Sequence, residues 1–257
     1  MSSVLFEIKD AVGFITLNRP EKFNSFNREM ALLMQEKLDA CQSDEVRCVY
    51  ITGAGKAFSA GQDISELVGE QRIEIKQILS EQYNPIVTRI RKLEKPVVAA
   101  INGVAAGAGA NIALCCDVVL ASEQASFIQA FSKIGLIPDS GGTYFLPRLI
   151  GWQKASALAM LGDKVSAADA ERMGMIYKVF AADSFAEESR KIATTLAAMP
   201  TRGLAFTKQL LDMSFDAGLS EQLMEEDVFQ QRAAETADYK EGITAFLEKR
   251  QPVFKGK

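Results

Sequence analysis

Three short apolar runs most constrain what this chain can fold into: Cys48–Thr52 (CVYIT), Pro96–Ile101 (PVVAAI) and Asp117–Ala121 (DVVLA, apolar after its first residue). Runs of this length without polar alternation read as buried strands. Before and between them lie stretches with helical spacing. Met30, Met34, Leu38 and Cys41 are four, four and three residues apart and share one helix face. Gly69 to Lys95 also reads as helix, with Pro85 as a break or kink. Buried strands alternating with helices predict an α/β core. The chain opens on a predicted hairpin, with strands Val4–Lys9 and Gly13–Asn18 joined at Asp10-Ala11-Val12. From Ser166 onward the texture is mostly helical. Ser166-Ala167-Ala168-Asp169 resembles a capping box with Asp in place of Glu, and Ala186–Met199, Leu204–Phe215 and Ser220–Ala237 read as helices. The expected division is a core over residues 1–199 and a helical region over 200–257, parted at Pro200. The second region is too short to fold alone, so it is expected to pack on the core or on a neighbouring subunit.

Among its 257 residues the chain has no histidine, which removes Ser-His-Asp and Cys-His nucleophilic machinery and most zinc sites. Any general acid or base must be a carboxylate, Tyr, Lys, Cys or water. The 29 Lys plus Arg against 33 Asp plus Glu give a net charge of −4, and no basic run is present. That balance argues against nucleic acid or an anionic membrane surface as partner. Cys41, Cys48, Cys115 and Cys116 have no CxxC spacing and read as buried small hydrophobes in a reducing compartment. The N-terminus has no signal-peptide pattern, and no apolar run reaches about 18 residues, so a cytoplasmic protein without a membrane span is expected.

The glycine clusters fail the motifs they suggest. Gly107-Ala108-Gly109 follows a strand, but the third glycine of a dinucleotide fingerprint would fall on Ile112. Gly55-Lys56 is followed by Ala57 rather than Ser or Thr, so no phosphate loop is formed. Ser140-Gly141-Gly142 lacks both the preceding glycine and the histidine of a nucleophile elbow. Gly53 and Gly55 read as turn residues. The segment 103–110 is different: its glycines and alanines, straight after a buried strand, suit backbone that another group approaches closely.

Taken in order along the chain, several motifs resemble the enoyl-CoA hydratase/isomerase family, the crotonases. They are Leu17-Asn18-Arg19-Pro20, Phe58-Ser59-Ala60-Gly61-Gln62-Asp63-Ile64, Lys95-Pro96, Asn102-Gly103, Gly107-Ala108-Gly109, Cys116-Asp117, Gly135-Leu136-Ile137-Pro138 with Gly141-Gly142-Thr143, and Phe246-Leu247-Glu248-Lys249-Arg250. The resemblance implies a spiral of ββα turns with a helical C-terminal region, assembled as a trimer or a dimer of trimers. It implies an acyl-CoA substrate, so that coenzyme A arrives as part of the thioester, with no separate cofactor and no metal. The shared chemistry is stabilisation of a thioester enolate by two backbone N–H groups, which by position fall on Gln62 and Ala108. The CoA adenine is expected near Ala60, Asp63 and Ile64, and a CoA phosphate near Lys249.

Departures from the family pattern narrow the reaction. The two glutamates with which the hydratases activate water would fall on Asn111 and Phe131, and neither is acidic. Asp139 stands where hydratases usually have glycine, and isomerase branches carry an acidic proton shuttle at that place. Asp139 is thus the candidate shuttle, with Asn111 and Phe131 as candidate substrate contacts; Phe131 also reads as core or pocket wall. Pro-Asp-Ser-Gly-Gly is equally turn chemistry, and a turn or N-cap role for Asp139 stands beside the catalytic one. A carboxylate among Phe127, Phe131 and Pro138 is expected to have a raised pKa through desolvation. The run Ala130–Gly142 most resembles the isomerases of phenylacetate degradation, which act on a ring-epoxide CoA thioester and also shift double bonds. Competing expectations are an enoyl-CoA hydratase (a lyase) using an unusual acid, and a CoA-binding subunit without catalysis.

Overall fold

The computed structural model describes residues 2–69 and 72–257. Its centre is a six-stranded sheet in the order β1 (Val4–Lys9), β2 (Val12–Leu17), β3 (Cys48–Gly53), β5 (Val97–Ile101), β7 (Val118–Ser122) and β10 (Lys178–Phe180). All neighbours are parallel except the opening β1–β2 hairpin. That hairpin turns on Asp10 and Ala11, both at positive φ (50° and 58°), as a two-residue primed turn requires.

The apolar runs are unbroken because both faces of the sheet are covered. Along β3, Val49 and Ile51 face helix α1 (Arg28–Ala40) and its neighbours, while Cys48 and Tyr50 face the opposite side, under Phe185, Ala193 and Ala197 of a later helix. Met30, Met34, Leu38 and Cys41 are all fully buried, as their spacing predicts. All four cysteines are free and buried.

A second sheet of three-residue strands runs in the order β4 (Ala57–Ser59), β6 (Val104–Ala106), β8 (Ser126–Ile128) and β9 (Lys164–Ser166). Each long strand hands the chain to a short one: β3 to β4, β5 to β6, β7 to β8. Helices then carry it back, so the chain winds in ββα turns. After β4 come α2 (Ile75–Gln77), a π-helical segment Ile78–Tyr83 and α3 (Asn84–Lys92), which continue one another. The break expected at Pro85 is this π segment, ending just before the proline. A wider turn frees backbone groups that Pro85, at the start of α3, cannot bond. Of the predicted Gly69–Lys95 helix, Gly69 and residues 72–74 are not helical, and Glu70 and Gln71 lie outside the described residues. After β6 comes α4 (Ala108–Leu114); after β8 come a 3-10 turn (Ala130–Ile134), α5 (Gly142–Ile150) and α6 (Trp152–Leu161).

Helix α7 (Ala167–Arg172) begins at Ser166, whose hydroxyl accepts from the Asp169 N–H, the predicted cap. The remainder is α8 (Phe185–Ala198), α9 (Thr201–Met213), α10 (Leu219–Ala234) and α11 (Ala237–Leu247). The last predicted helix, Ser220–Ala237, ends earlier, because Thr236 caps a new helix by accepting from the Tyr239 N–H. Helix α8 supplies the buried cover over the sheet, with Tyr50 and Ser189 hydroxyls 2.8 Å apart. Beyond it, α9 is tied to the core by Lys208, whose ammonium is buried against Asp117 (2.9 Å) and the Ile90 carbonyl (2.7 Å). Among the described residues no helix is long and apolar enough to cross a membrane.

Candidate active site

The short strands end where the loops become rich in glycine, and these loop ends converge. Gly61 (φ +88°) follows β4 and Gly107 (φ +52°, ψ −128°) follows β6. Both conformations exclude most side chains. The two turns touch: a Cβ on Gly61 would lie 2.8 Å from the Ala106 carbonyl and 3.5 Å from the Ala108 nitrogen. On Gly107 it would meet the Phe131 ring at 3.7 Å. The small residues thus bring the amides of Gln62 and Ala108 to one place. The carbonyl oxygen of the Gly61–Gln62 peptide accepts from Phe26 N–H (2.7 Å), and a trans peptide turns its N–H the other way. Ala108 is the first residue of α4, where an N–H has no partner within the helix.

Gln62 and Ala108 both line a pocket of about 470 Å³. Its apolar wall comes from Ile64 and Leu67, from Ile75, Ile78 and Leu79 of the long helix, and from Phe131, Ile134, Leu136 and Ile137. Asp139 lines the same pocket, within its apolar surroundings. Burial pushes its carboxyl from the ordinary 3.8 up to about 6, opposed by the hydrogen bond that Ser140 Oγ donates to Oδ1 (2.9 Å). The raised pKa expected from the sequence is therefore present, with desolvation as its cause. Asp139 does not cap α5: the N-cap is Gly141, and no side chain bonds the helix start.

The loop that presents Asp139 is held from behind. Asn111 is fully buried; its Nδ2 donates to the Asp139 carbonyl (2.9 Å), and its Oδ1 accepts from Gln129 Nε2 (2.7 Å). The Asp139 carbonyl also accepts from Gly142 N–H (2.8 Å). Ser140 adopts φ +51°, a conformation disfavoured for a residue with a Cβ, and the chain turns there so that Ser140 is buried while Asp139 reaches the pocket.

Ala60, Gln62, Ile64, Ala108, Phe131 and Asp139 thus come together around one pocket. Asn111 lies behind it, its amide spent on the Asp139 loop rather than turned to the cavity. Asp63 lies beside it, with its carboxylate on Arg19 (2.8 Å) and capping the turn at Ser65. Those bonds hold its pKa low against the opposing effect of burial. Lys249 is exposed on the turn after α11, away from the pocket lining. Phe127 belongs to the core rather than the wall. Sequence reasoning gave Gln129 and Tyr83 no firm role, since neither stands in a motif. Tyr83 lines the pocket and donates its hydroxyl to the Gln62 side chain.

Known proteins resemble this chain along its whole length. The Enoyl-CoA hydratase/isomerase family model matches residues 7–257. The 1,2-epoxyphenylacetyl-CoA isomerase of Escherichia coli is 44% identical, over 100% of both chains. A probable enoyl-CoA hydratase of Rhodobacter capsulatus is 39% identical over 99% of this chain and 98% of its own length. The trans-2-decenoyl-acyl-carrier-protein isomerase of Streptococcus mutans is 35% identical over 99% and 98%. Among solved structures, a putative enoyl-CoA hydratase/isomerase from Mycobacterium abscessus superimposes with a TM-score of 0.94 at 35% identity, covering 99% of this chain and 100% of that one. The matched family model and the full-length relatives agree, and the chain belongs to the enoyl-CoA hydratase/isomerase family.

Proposed function

We propose that this enzyme is an acyl-CoA isomerase, with Asp139 as its proton shuttle and the Gln62 and Ala108 amides as the donors that hold the thioester enolate. The observation that carries this reading is the position of Asp139 in an apolar pocket that Gln62 and Ala108 also line. In a linear 3-enoyl thioester, the carboxylate takes a proton from C2 and the electron pair moves to the thioester oxygen. The amides stabilise that oxygen as it gains charge. Protonated Asp139 then returns the same proton at C4, which leaves the 2-enoyl isomer. A pKa of about 6 suits both halves: the group is mostly a base at neutral pH, yet it holds the proton long enough to deliver it. A ring-epoxide phenylacetyl thioester needs the same opening step, removal of the proton α to the carbonyl, and the Escherichia coli relative's name favours that substrate. The Streptococcus mutans relative favours the linear shift, on a carrier-protein thioester.

Hydration is the second reading, favoured by the name of the Rhodobacter capsulatus relative. It needs a carboxylate to activate water, and Phe131 gives the pocket an apolar wall where one would stand. Homo-oligomerisation as a trimer or dimer of trimers belongs to the same proposal. The apolar side chains that α10 and α11 expose, among them Leu219, Met224, Phe246 and Leu247, support it. A role of residues 200–257 in assembly and active-site cover, with Lys249 meeting a CoA phosphate, belongs to the same proposal. A location in the cytoplasm is part of the same reading. The test is turnover of a 3-enoyl-CoA, a 2-enoyl-CoA and the ring-epoxide CoA side by side. Isomerisation of the first or third at rates well above hydration of the second is expected; rapid hydration without isomerisation overturns the reading.

A further inference from the structure

The oxyanion hole has one weak point. The Gly61–Gln62 peptide must aim its N–H into the pocket, yet it follows a glycine at φ +88°, where the backbone is least restrained. Something other than local sterics must fix its orientation. Two anchors are visible, and one residue stands behind both. The first anchor is Phe26, whose N–H holds the carbonyl of this peptide and whose own carbonyl accepts from Asp63 N–H (2.8 Å). The Phe26 ring packs edge-on against Tyr83, with centroids 6.0 Å apart at 82°. The second anchor is the Gln62 side chain. Its Oε1 accepts from the Tyr83 hydroxyl (2.5 Å), and its Nε2 donates to Glu66 Oε2 (3.0 Å).

The bonds then close into a ring. Glu66 Oε1 accepts from the backbone N–H of Arg28, at the start of α1 (2.8 Å). The Arg28 guanidinium pairs with Glu81 (2.6 Å), two residues before Tyr83 in the π segment. Gln35 of α1 braces the same segment by donating to the Glu81 carbonyl (2.8 Å). Tyr83 itself is fully buried and ends the π segment, whose wider turn moves it off the α-helical face on which regular winding would place it. The helix that carries it also walls the acyl pocket through Ile75, Ile78 and Leu79. Its hydroxyl proton is committed to Gln62, so it is not offered to a substrate.

We propose that Tyr83 is a positioning residue of the oxyanion hole: through Gln62 and Phe26 it fixes the Gln62 N–H and couples it to the helix that walls the acyl pocket. This rests on the assignment of the Gln62 amide as a hole donor. Tyr83→Phe keeps the ring against Phe26 and removes only the hydroxyl. Two readouts are taken on the full-length protein: kcat and KM for isomerisation, and the thioester carbonyl stretch of bound phenylacetyl-CoA labelled with carbon-13 at the carbonyl. The second needs no turnover, so it reports on the hole whether or not the wild-type protein isomerises anything. Tyr83→Phe is expected to lower kcat about tenfold or more with KM within about threefold, because a displaced donor costs chiefly the transition state. The carbonyl band, shifted to lower frequency in the wild type, is expected to move back toward its position in water. Gln62→Leu, which removes the acceptor together with the Glu66 bond, is expected to move the band the same way and further than Glu66→Ala, which removes the Glu66 bond alone; that comparison decides the matter if Tyr83→Phe does not fold. A wild-type kcat and an unmoved band in the variants overturn the proposal while leaving isomerisation by Asp139 intact. A wild-type protein that shifts the band but isomerises nothing overturns the function and leaves the positioning role standing. A wild-type complex with no band shift overturns the hole and this role together.

Discussion

Replacing Asp139 by Asn should cost activity and add stability, and the two effects share one cause. The carboxyl is lifted from 3.8 to about 6 by burial, so the folded protein disfavours its charged form. At 1.36 kcal/mol for each unit of pKa, the lift corresponds to about 3 kcal/mol at most. The pocket is open to solvent on one side and the residue is only half-buried, so about 1–2 kcal/mol is the better expectation. The sign follows from linkage. The folded pKa lies above the unfolded one, so the cost is absent below about pH 4, grows as pH rises through about 6, and is complete at pH 8. Asparagine is isosteric, can still accept from Ser140, and carries no charge to desolvate. Urea unfolding of wild type and Asp139→Asn at pH 5 and pH 8 should show the variant more stable by about 1–2 kcal/mol at pH 8 and by less at pH 5. The same variant should lose about 10²–10⁴-fold in isomerase kcat, the usual worth of a positioned acid–base. A variant that keeps the wild-type rate, or that is less stable than wild type at pH 8, refutes the placement of Asp139 as a desolvated proton shuttle.

Other outcomes follow from the same geometry. The wild-type kcat/KM should rise with pH through about 6 and level off above it, since the free enzyme must hold Asp139 as a base; a profile flat from pH 5 to 8 contradicts this. Gly61→Ala places a Cβ 2.8 Å from the Ala106 carbonyl at a positive φ, so it should spread the two amide-bearing turns and cost about 10²–10³-fold in kcat, read by steady-state kinetics. Gly142→Ala places its Cβ 2.3 Å from Asn111 Nδ2; it should release the Asp139 loop, visible as faster amide exchange over residues 138–142 and a lower kcat. Asp117→Ala leaves Lys208 with a buried, uncompensated charge and should destabilise by about 3–5 kcal/mol in urea, with the pocket chemistry unchanged in the folded fraction.

Legibility in the sequence tracks how many residues share a physical demand. Strands β3, β5 and β7 are readable because Cys48–Ile51, Val97–Ile101 and Val118–Ala121 are covered on one face or the other, which leaves an uninterrupted apolar run in each. Strands β4, β6, β8 and β9 have three residues each, too few to carry a period, and the second sheet is invisible without the first. The start of α11 is marked by a single threonine inside helix-favouring sequence, which no periodicity reveals. At the site, the glycine turns are legible because only small residues tolerate such close backbone approach. The support around them is not, because Gln129 and Tyr83 stand about twenty residues from the partners they brace and meet them only through folding.

The family's hydratase acids are replaced here by residues with roles of their own. A glutamate at position 111 would bring charge to a fully buried site, with Gly142 packed against the side chain already there. Asparagine fits because it needs no counter-charge: one end donates to the Asp139 carbonyl and the other accepts from Gln129. Phe131 does the complementary work at the pocket face, where its ring lies against Gly107 and adds apolar surface around Asp139. Desolvation by such surface is what lifts the Asp139 pKa; in the proposed isomerase, the wall that stands in place of a water-activating acid thus also tunes the shuttle. Restoring a single glutamate at either position should therefore not restore hydration. At 111 it would unseat the Asp139 loop, and at 131 it would place a second carboxylate in the pocket of the first, which disfavours the ionised form of both.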